Sequence, residues 1–417
     1  MKRSYWIVAL IMLFWFMISF ITNIIGPLIP DIIDNFHLQE LALAGFIPTS
    51  FFIAYAVISI PAGLLIEKYS QKFVLSLGWG LPLLGSLLFA LMPSFPVLLL
   101  SSFTIGLGMA MLQTTINPLT RVAGGEENFA FFSVMGQLVF SGASFVSPQV
   151  YSNLVASLSS GQKCSGITGV LQMLTPTELP WVSLYWLFVG IVAIMIIIVL
   201  VLRLPKLDLN NDEKVSGIHA YRELLKNKYT YLFFLGILCY EATEQGCANW
   251  ISKFLQDYHS MDPQTVGASA VGQFWGAMAV GCIAGLGALK LWDSKNVLKV
   301  ACVMAFITLA MALFGAGELA RWAFPLFGFS LSVMYSIVFS LALNSVPRYQ
   351  GAFAGILCTA IAGAALGPLI VAWLGDIFGL RGGMMFIFLT TAYVFSISFW
   401  AKPLVSNKTL RSKDQAA

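Results

Sequence analysis

Runs of apolar residues, each about as long as the ~20 residues a helix needs to cross a bilayer, follow one another along this chain and leave room for little else. We place twelve spans at 5–26, 42–66, 73–92, 96–120, 129–156, 183–202, 229–255, 265–291, 297–317, 322–346, 352–375 and 383–401. Over 417 residues this allots about 35 to each span, enough for helix and loop but not for a soluble domain. Segments such as 186–202 are apolar on every face, whereas the strands of a membrane barrel would alternate over ~10 residues. The composition, 58% hydrophobic and 10% charged, agrees. The expected fold is all-α and integral to the membrane, with twelve helices in two bundles of six.

Charge placement sets the orientation. With the N-terminus inside, 19 of the 23 Lys and Arg fall on the inner side, and only Lys163, Lys253, Arg321 and Arg381 fall outside. Both ends of the chain are then cytoplasmic. Met1-Lys2-Arg3-Ser4 ahead of an apolar run imitates a signal peptide, but no small-residue cleavage site follows, so the first span is expected to be retained. The longest polar stretch, with six of the inner basic residues, lies near the middle. The expected organisation is a bundle over 1–202, a cytoplasmic linker over 203–228, a second bundle over 229–401 and a tail over 402–417. Two six-helix halves about a basic loop are the layout of a transporter built from parallel repeats. A faint repeat supports this: each half has a short basic turn after its second span, Glu67-Lys68-Tyr69-Ser70-Gln71-Lys72 and Asp293-Ser294-Lys295. Lys68, Lys72 and Lys295 are assigned to inner gating loops, where fixing topology serves equally well as an explanation. The stretch 157–184 reads as a cap or a disordered excursion.

Few groups can carry chemistry. Five of the six cysteines sit in apolar spans and only Cys164 in an outer loop, so no disulfide framework is readable. His37, His219 and His259 fall in loops without metal-ligand spacing, and no catalytic or phosphate-binding motif appears. The linker is too short and mixed in charge for nucleic acid. These features exclude an enzyme and a nucleic-acid binder, and call for no cofactor. Two carboxylates, Glu241 and Glu244, stand well inside an apolar span. Three apart on a helix, they share a face. Two acids in a low-dielectric site repel when both are ionised, which suits them to exchanging a proton or ligating Na⁺, with Glu244 the candidate Na⁺ ligand. A fixed neutral acid bonded to a neighbouring helix is the plainer alternative. Gln245, Asn249 and Trp250 add amides and a ring beside them, suited to a hydroxyl-rich solute. In the first half Asn23, Gln113, Asn117 and Gln137 lie mid-span. Buried amides often only tie helices together, but the cluster fits a cavity lining better. Phe51-Phe52 and Phe274-Trp275 read as packing.

The string from Ala44 to Lys72, AGFIPTSFFIAYAVISIPAGLLIEKYSQK, resembles the AG…FFxGY…PAGxL…K stretch of the fucose–galactose–proton symporter family of the major facilitator superfamily. Gly106 to Pro118 resembles that family's G-L-G…LETAANP motif, and Gln137 matches a Gln of its fifth helix. Tyr240 with Glu244 resembles the YxGxE pattern of hexose-transporting relatives. Phe274-Trp275-Gly276 with Gly281, the run Phe339 to Leu343, and Pro368 with Asp376 are similar to further family motifs. The resemblance implies a sugar permease, but the departures matter. Gly26 stands where the family has a proton-linked Asp, Gln113 replaces a motif Glu, and Cys282 replaces an Arg. Coupling has then moved to Glu241 and Glu244, or uses Na⁺, or is absent.

The expectation is an inner-membrane sugar symporter, working as a monomer in the lipid bilayer by alternating access. Its cavity is lined by Asn23, Gln113, Asn117, Gln137, Glu244, Asn249 and Trp250, with Glu244 and Glu241 coupling to H⁺ or Na⁺. Two readings compete: an exporter of amphiphilic drugs or lipids, and a membrane sugar sensor that transports nothing.

Overall fold

The computed structural model describes residues 5–124, 129–160, 164–201, 222–346 and 350–402, and every regular element among them is helical. The first span consists of α1 (Tyr5–Thr22) and α2 (Ile25–Phe36). The next four are α3 (Leu41–Lys68), α4 (Gln71–Leu91), α5 (Phe95–Gly124) and α6 (Phe129–Ser159). A short α7 (Gly166–Leu174) precedes the sixth span, α8 (Ser183–Val201). The second half opens with α9 (Lys228–Ala248) and α10 (Ile251–His259), then α11 (Ala268–Leu291) and α12 (Ser294–Phe314). It closes with α13 (Gly317–Leu331) and α14 (Met334–Ser345), α15 (Gln350–Thr359) and α16 (Gly363–Met384), and α17 (Phe386–Trp400). Most of the linker, 203–221, and the tail from 403 lie outside the described residues, as does His219.

Two boundary expectations fail for physical reasons. The first span does not stop at 26: with one break it continues to Phe36, and Trp6–Phe36 is apolar enough to cross the membrane. The expected end falls just ahead of Pro27, but Pro27 lies in the first turn of α2, where a missing N–H costs nothing. Having no N–H, it leaves the Asn23 carbonyl, four residues back, without its helical partner. The 157–184 stretch is not simply irregular either. It holds α7 and a 3₁₀ turn, Pro180–Val182, in which the buried Trp181 stacks on Phe89 with centroids 5.6 Å apart.

The buried apolar side chains gather into two large cores. One is built on residues from Val8 to Val199, the other on residues from Leu224 to Ala401. Ile29 and Ala44 of the first half pack into the second core, and Ala268, Ala364 and Ala365 pack into the first. The halves also repeat one another in detail. A Cβ at Gly106 of α5 would stand 2.1 Å from the Phe51 carbonyl oxygen of α3, and one at Gly328 of α13 would stand 2.3 Å from that of Phe274 on α11. Ser70 caps α4 by accepting from the Phe73 N–H, and Asp293 caps α12 by accepting from the Lys295 N–H. Lys72 at the start of α4 donates to the Leu200 carbonyl at the end of α8 (2.7 Å). Lys295 at the start of α12 donates likewise to the Ala401 carbonyl just past α17 (2.9 Å). These two lysines thus bind helix C-termini within their own halves.

Backbones this close tolerate no added methyl groups. Gly106→Val is expected to destabilise by about 3 kcal/mol or more through overpacking. Gly80→Ala, where a Cβ would meet nothing within 4 Å, is expected to be neutral. Thermal unfolding in detergent separates the two, and equal midpoints would refute the close packing.

Candidate transport site

Two breaks within spans, Asn23–Ile24 in the first half and Asn249–Trp250 in the second, face each other. A Cβ added at Gly26 would stand 2.8 Å from the Ala248 carbonyl oxygen, so the half-helices touch backbone to backbone. No aspartate side chain fits position 26 in this conformation.

A chain of polar side chains crosses the contact. Ser19 of α1 donates to the Phe140 carbonyl (2.5 Å) and shares a hydrogen bond with Ser144 of α6 (2.6 Å). Asn23 Nδ2 donates to Ser144 Oγ (2.8 Å), and Asn23 Oδ1 accepts from Gln245 Nε2 (3.5 Å). The second hydrogen of Gln245 Nε2 goes to Glu244 Oε1 (3.3 Å). Tyr240 Oη donates to Glu244 Oε2 (2.5 Å). Asn249 Nδ2 donates to both the carbonyl and Oε1 of Gln245 (2.8 and 3.1 Å). Gln245 therefore has both donors and its acceptor engaged, and it holds Asn23, Glu244 and Asn249 together.

The remaining expected residues fall elsewhere. Glu241, half-buried, has no hydrogen-bond partner among the described residues. It lies within electrostatic reach of Glu244, of Tyr55 on α3, of Tyr335 on α14 and of Cys358 on α15. It thus stands where both halves meet. Tyr335 packs on Tyr240 with ring centroids 5.7 Å apart. Gln113 on α5 and Gln137 on α6 are half-buried and make no hydrogen bond to the chain just described. Asn117 lies on α5, but its side chain is outside those described. Trp250 is fully buried, and its Nε1 donates to the Pro368 carbonyl of α16 (3.1 Å), so in this conformation its ring faces protein. Phe51, Phe52, Phe274 and Trp275 are core, as expected. Two apolar crevices, of about 450 Å³ beside Trp6 and Val201 and about 320 Å³ beside Gly285 and Met304, adjoin exposed apolar side chains and touch none of these polar groups.

Sequence reasoning passed over Gln245 as the bridge and Asp31 altogether. Asp31 was missed because the first span was ended too early. It lies on α2, half-buried, accepting from Tyr151 Oη of α6 on one carboxylate oxygen and from Gln264 Nε2 on the other (3.1 Å). Gln264 belongs to the second half, just ahead of α11. A buried acid in an apolar helix was the available signal.

Two helical bundles meeting at broken spans, with carboxylates and amides at the junction, define a membrane transporter rather than an enzyme. The chain belongs to the Major Facilitator Superfamily, whose family model matches residues 11–362. Among similar proteins, the glucose/galactose transporter of Brucella abortus is 27% identical over 386 residues, covering 92% of this chain and 90% of that protein. The L-fucose-proton symporter of Escherichia coli is 24% identical over 391 residues, covering 88% and 87%. This bears out the resemblance to sugar permeases carried by the second and fourth spans. The crystal structure of the Escherichia coli fucose:proton symporter matches the fold with a TM-score of 0.69 at 21% identity, over 96% of this chain and 100% of that one. A bacterial homologue of the human lysosomal transporter Spinster matches at 0.74 and 15% identity, over 95% and 96%.

Proposed function

We propose that this protein is a monosaccharide importer that works by alternating access as a monomer in the cytoplasmic membrane and is driven by a cation gradient. The observation that carries the reading is the polar chain from Ser144 through Asn23 and Gln245 to Glu244, which joins the two halves at their broken spans. Amides donate to and accept from sugar hydroxyls, and Asn23, Gln113, Asn117, Gln137, Glu244 and Asn249 supply them with one acid. The names of the relatives point to hexoses and fucose. Trp250, buried in the second core and bonded to Pro368 of its own half, enters this site only if that packing rearranges.

A proton is the favoured coupling ion. The described hydrogen-bond partners of Glu244 are donors, Tyr240 Oη and Gln245 Nε2, and Glu241 lies within electrostatic reach; two acids that repel when both are ionised suit a pair that exchanges a proton. A Na⁺ site asks instead for several converging oxygen acceptors. Glu241, without a hydrogen-bond partner among the described residues, is assigned as the second carboxylate of the coupling pair.

Uptake of labelled glucose, galactose and fucose into proteoliposomes, under an imposed pH or Na⁺ gradient, tests the assignment. Accumulation under the pH gradient is the expected result. Accumulation only under the Na⁺ gradient reassigns the ion, and specific sugar binding without uptake supports a sensor. Protection of cells from dyes without sugar uptake supports an exporter.

A further inference from the structure

The outer side, opposite the chain ends, is sealed along two seams, and each seam is closed by a carboxylate from a different half. Between α3 and α16, the Asp376 carboxylate of the second half accepts from the backbone N–H groups of Leu41 (2.6 Å) and Ala42 (2.8 Å). These open α3, a first-half helix whose own N-cap residue, Glu40, makes no side-chain cap. The cap that a helix ordinarily takes from its own chain neighbour is supplied across the interface. The second seam runs where α2 and α6 meet the turn before α11. There Asp31 of the first half is held by Tyr151 of its own half and by Gln264 of the other. Asp34 and Asp262 are within electrostatic reach of Asp31, and no cation is among its described partners.

Among the described residues, the side-chain hydrogen bonds that join the halves are these, Thr49 Oγ1 to the Ala365 carbonyl (2.8 Å) and Gln245 to Asn23. None of them involves the chain ends or the turns that carry Lys72 and Lys295. Opening the outer side separates Leu41 and Ala42 from Asp376, and Asp31 from Gln264. Each contact therefore exists in only one of the two conformations, and it biases the equilibrium by whatever it contributes there.

We propose that Asp376 and Asp31 are gating residues, which hold the outer side closed by an N-cap and a side-chain bond made across the halves, and so set the balance between outward-closed and outward-open forms. The inference uses the fold and the seams alone and does not depend on which solute is carried.

The test introduces a thiol through Ile29→Cys, at a first-half position fully buried against the second core. Cys164, in the outer loop, is replaced by serine, and a membrane-impermeant maleimide is applied from outside. Labelling is expected to be slow in this background. It should rise roughly fivefold with Asp376→Ala or Asp31→Asn, the scale of an ordinary helix cap, and more when the two are combined. Asp376→Ser, which keeps a capping oxygen, is expected to fall between the parent and Asp376→Ala. Monodisperse variants labelled at the parent rate would overturn the proposal. So would equal acceleration by Gly80→Ala, a substitution away from both seams. If a variant fails to fold, Gln264→Ala breaks the second seam from the other side and should give the same rise; no rise there refutes the Asp31 gate. Loss of sugar uptake without a change in labelling would speak to the transport reading and not to the gate.

Discussion

Replacing Glu244 by Gln is expected to abolish gradient-driven accumulation while leaving sugar exchange across the membrane intact. The amide keeps nearly the same shape and an acceptor oxygen for Tyr240 or Gln245, so the bonds at 2.5 and 3.3 Å survive in part. What it removes is the ability to carry a charge or release a proton. A potential of 100 mV is worth ~2.3 kcal/mol for each charge moved, which supports a concentration ratio of roughly fifty. With Glu244→Gln that ratio is expected to fall to about one in the presence of a potential, measured with labelled sugar in proteoliposomes. Counterflow under zero gradient should remain within a few-fold of the unmodified protein. Undiminished accumulation would move the ion to Glu241 or to another acid.

Gln245→Leu is expected to have the second largest effect, on sugar affinity more than on folding. The substitution strips a hydrogen-bond partner from Asn23, Glu244 and Asn249 together. Hydrogen bonds between membrane helices average only ~0.6 kcal/mol in stability, so a shift of a few degrees in thermal unfolding is the most that folding should show. The positions of Glu244 and Asn249 depend on that amide, and loss of their orientation should weaken apparent sugar affinity by more than about tenfold. A double-mutant cycle with Asn23→Ala measures the link directly. Additive effects on affinity would mean that the contact between Asn23 and Gln245 plays no part in recognition.

Much of the architecture could be read from residue order, because the bilayer imposes one dominant rule: apolar stretches of fixed length, with lysine and arginine kept to one side. That rule located α3, α4, α5 and α8 within a few residues of their ends. It failed at the first span, whose expected end is 26 but which continues, after a break, through a second half-helix that holds Pro27 in its first turn. Asp31 disappeared from view with that error. Asn23, Glu244 and Asn249 were legible as polar groups in apolar surroundings, but the role of Gln245 was not. Its partner Asn23 lies 222 residues away, and that pairing is fixed only when two separately packed bundles dock. Trp250 shows the other side of that limit: a ring beside amides suggests a sugar platform, and only the folded structure shows that in this conformation its indole N–H is taken by the carbonyl of Pro368. The carboxylate of Asp376 illustrates the same limit, since nothing local marks it as the cap for a helix more than three hundred residues earlier.

The matched caps and crossings in the two bundles, Ser70 with Asp293 and Gly106 with Gly328, describe a scaffold made twice. Its chemical endowment is lopsided: both deep acids of α9 belong to one copy, while the other answers with hydroxyls and an amide from α1 and α6. On the proposed reading the second half holds the coupling acids, while neutral amides from both halves, Asn23 and Asn249 among them, face the solute. On that reading, mutation of the first half alters affinity for the solute without touching the acids that would sense the driving ion.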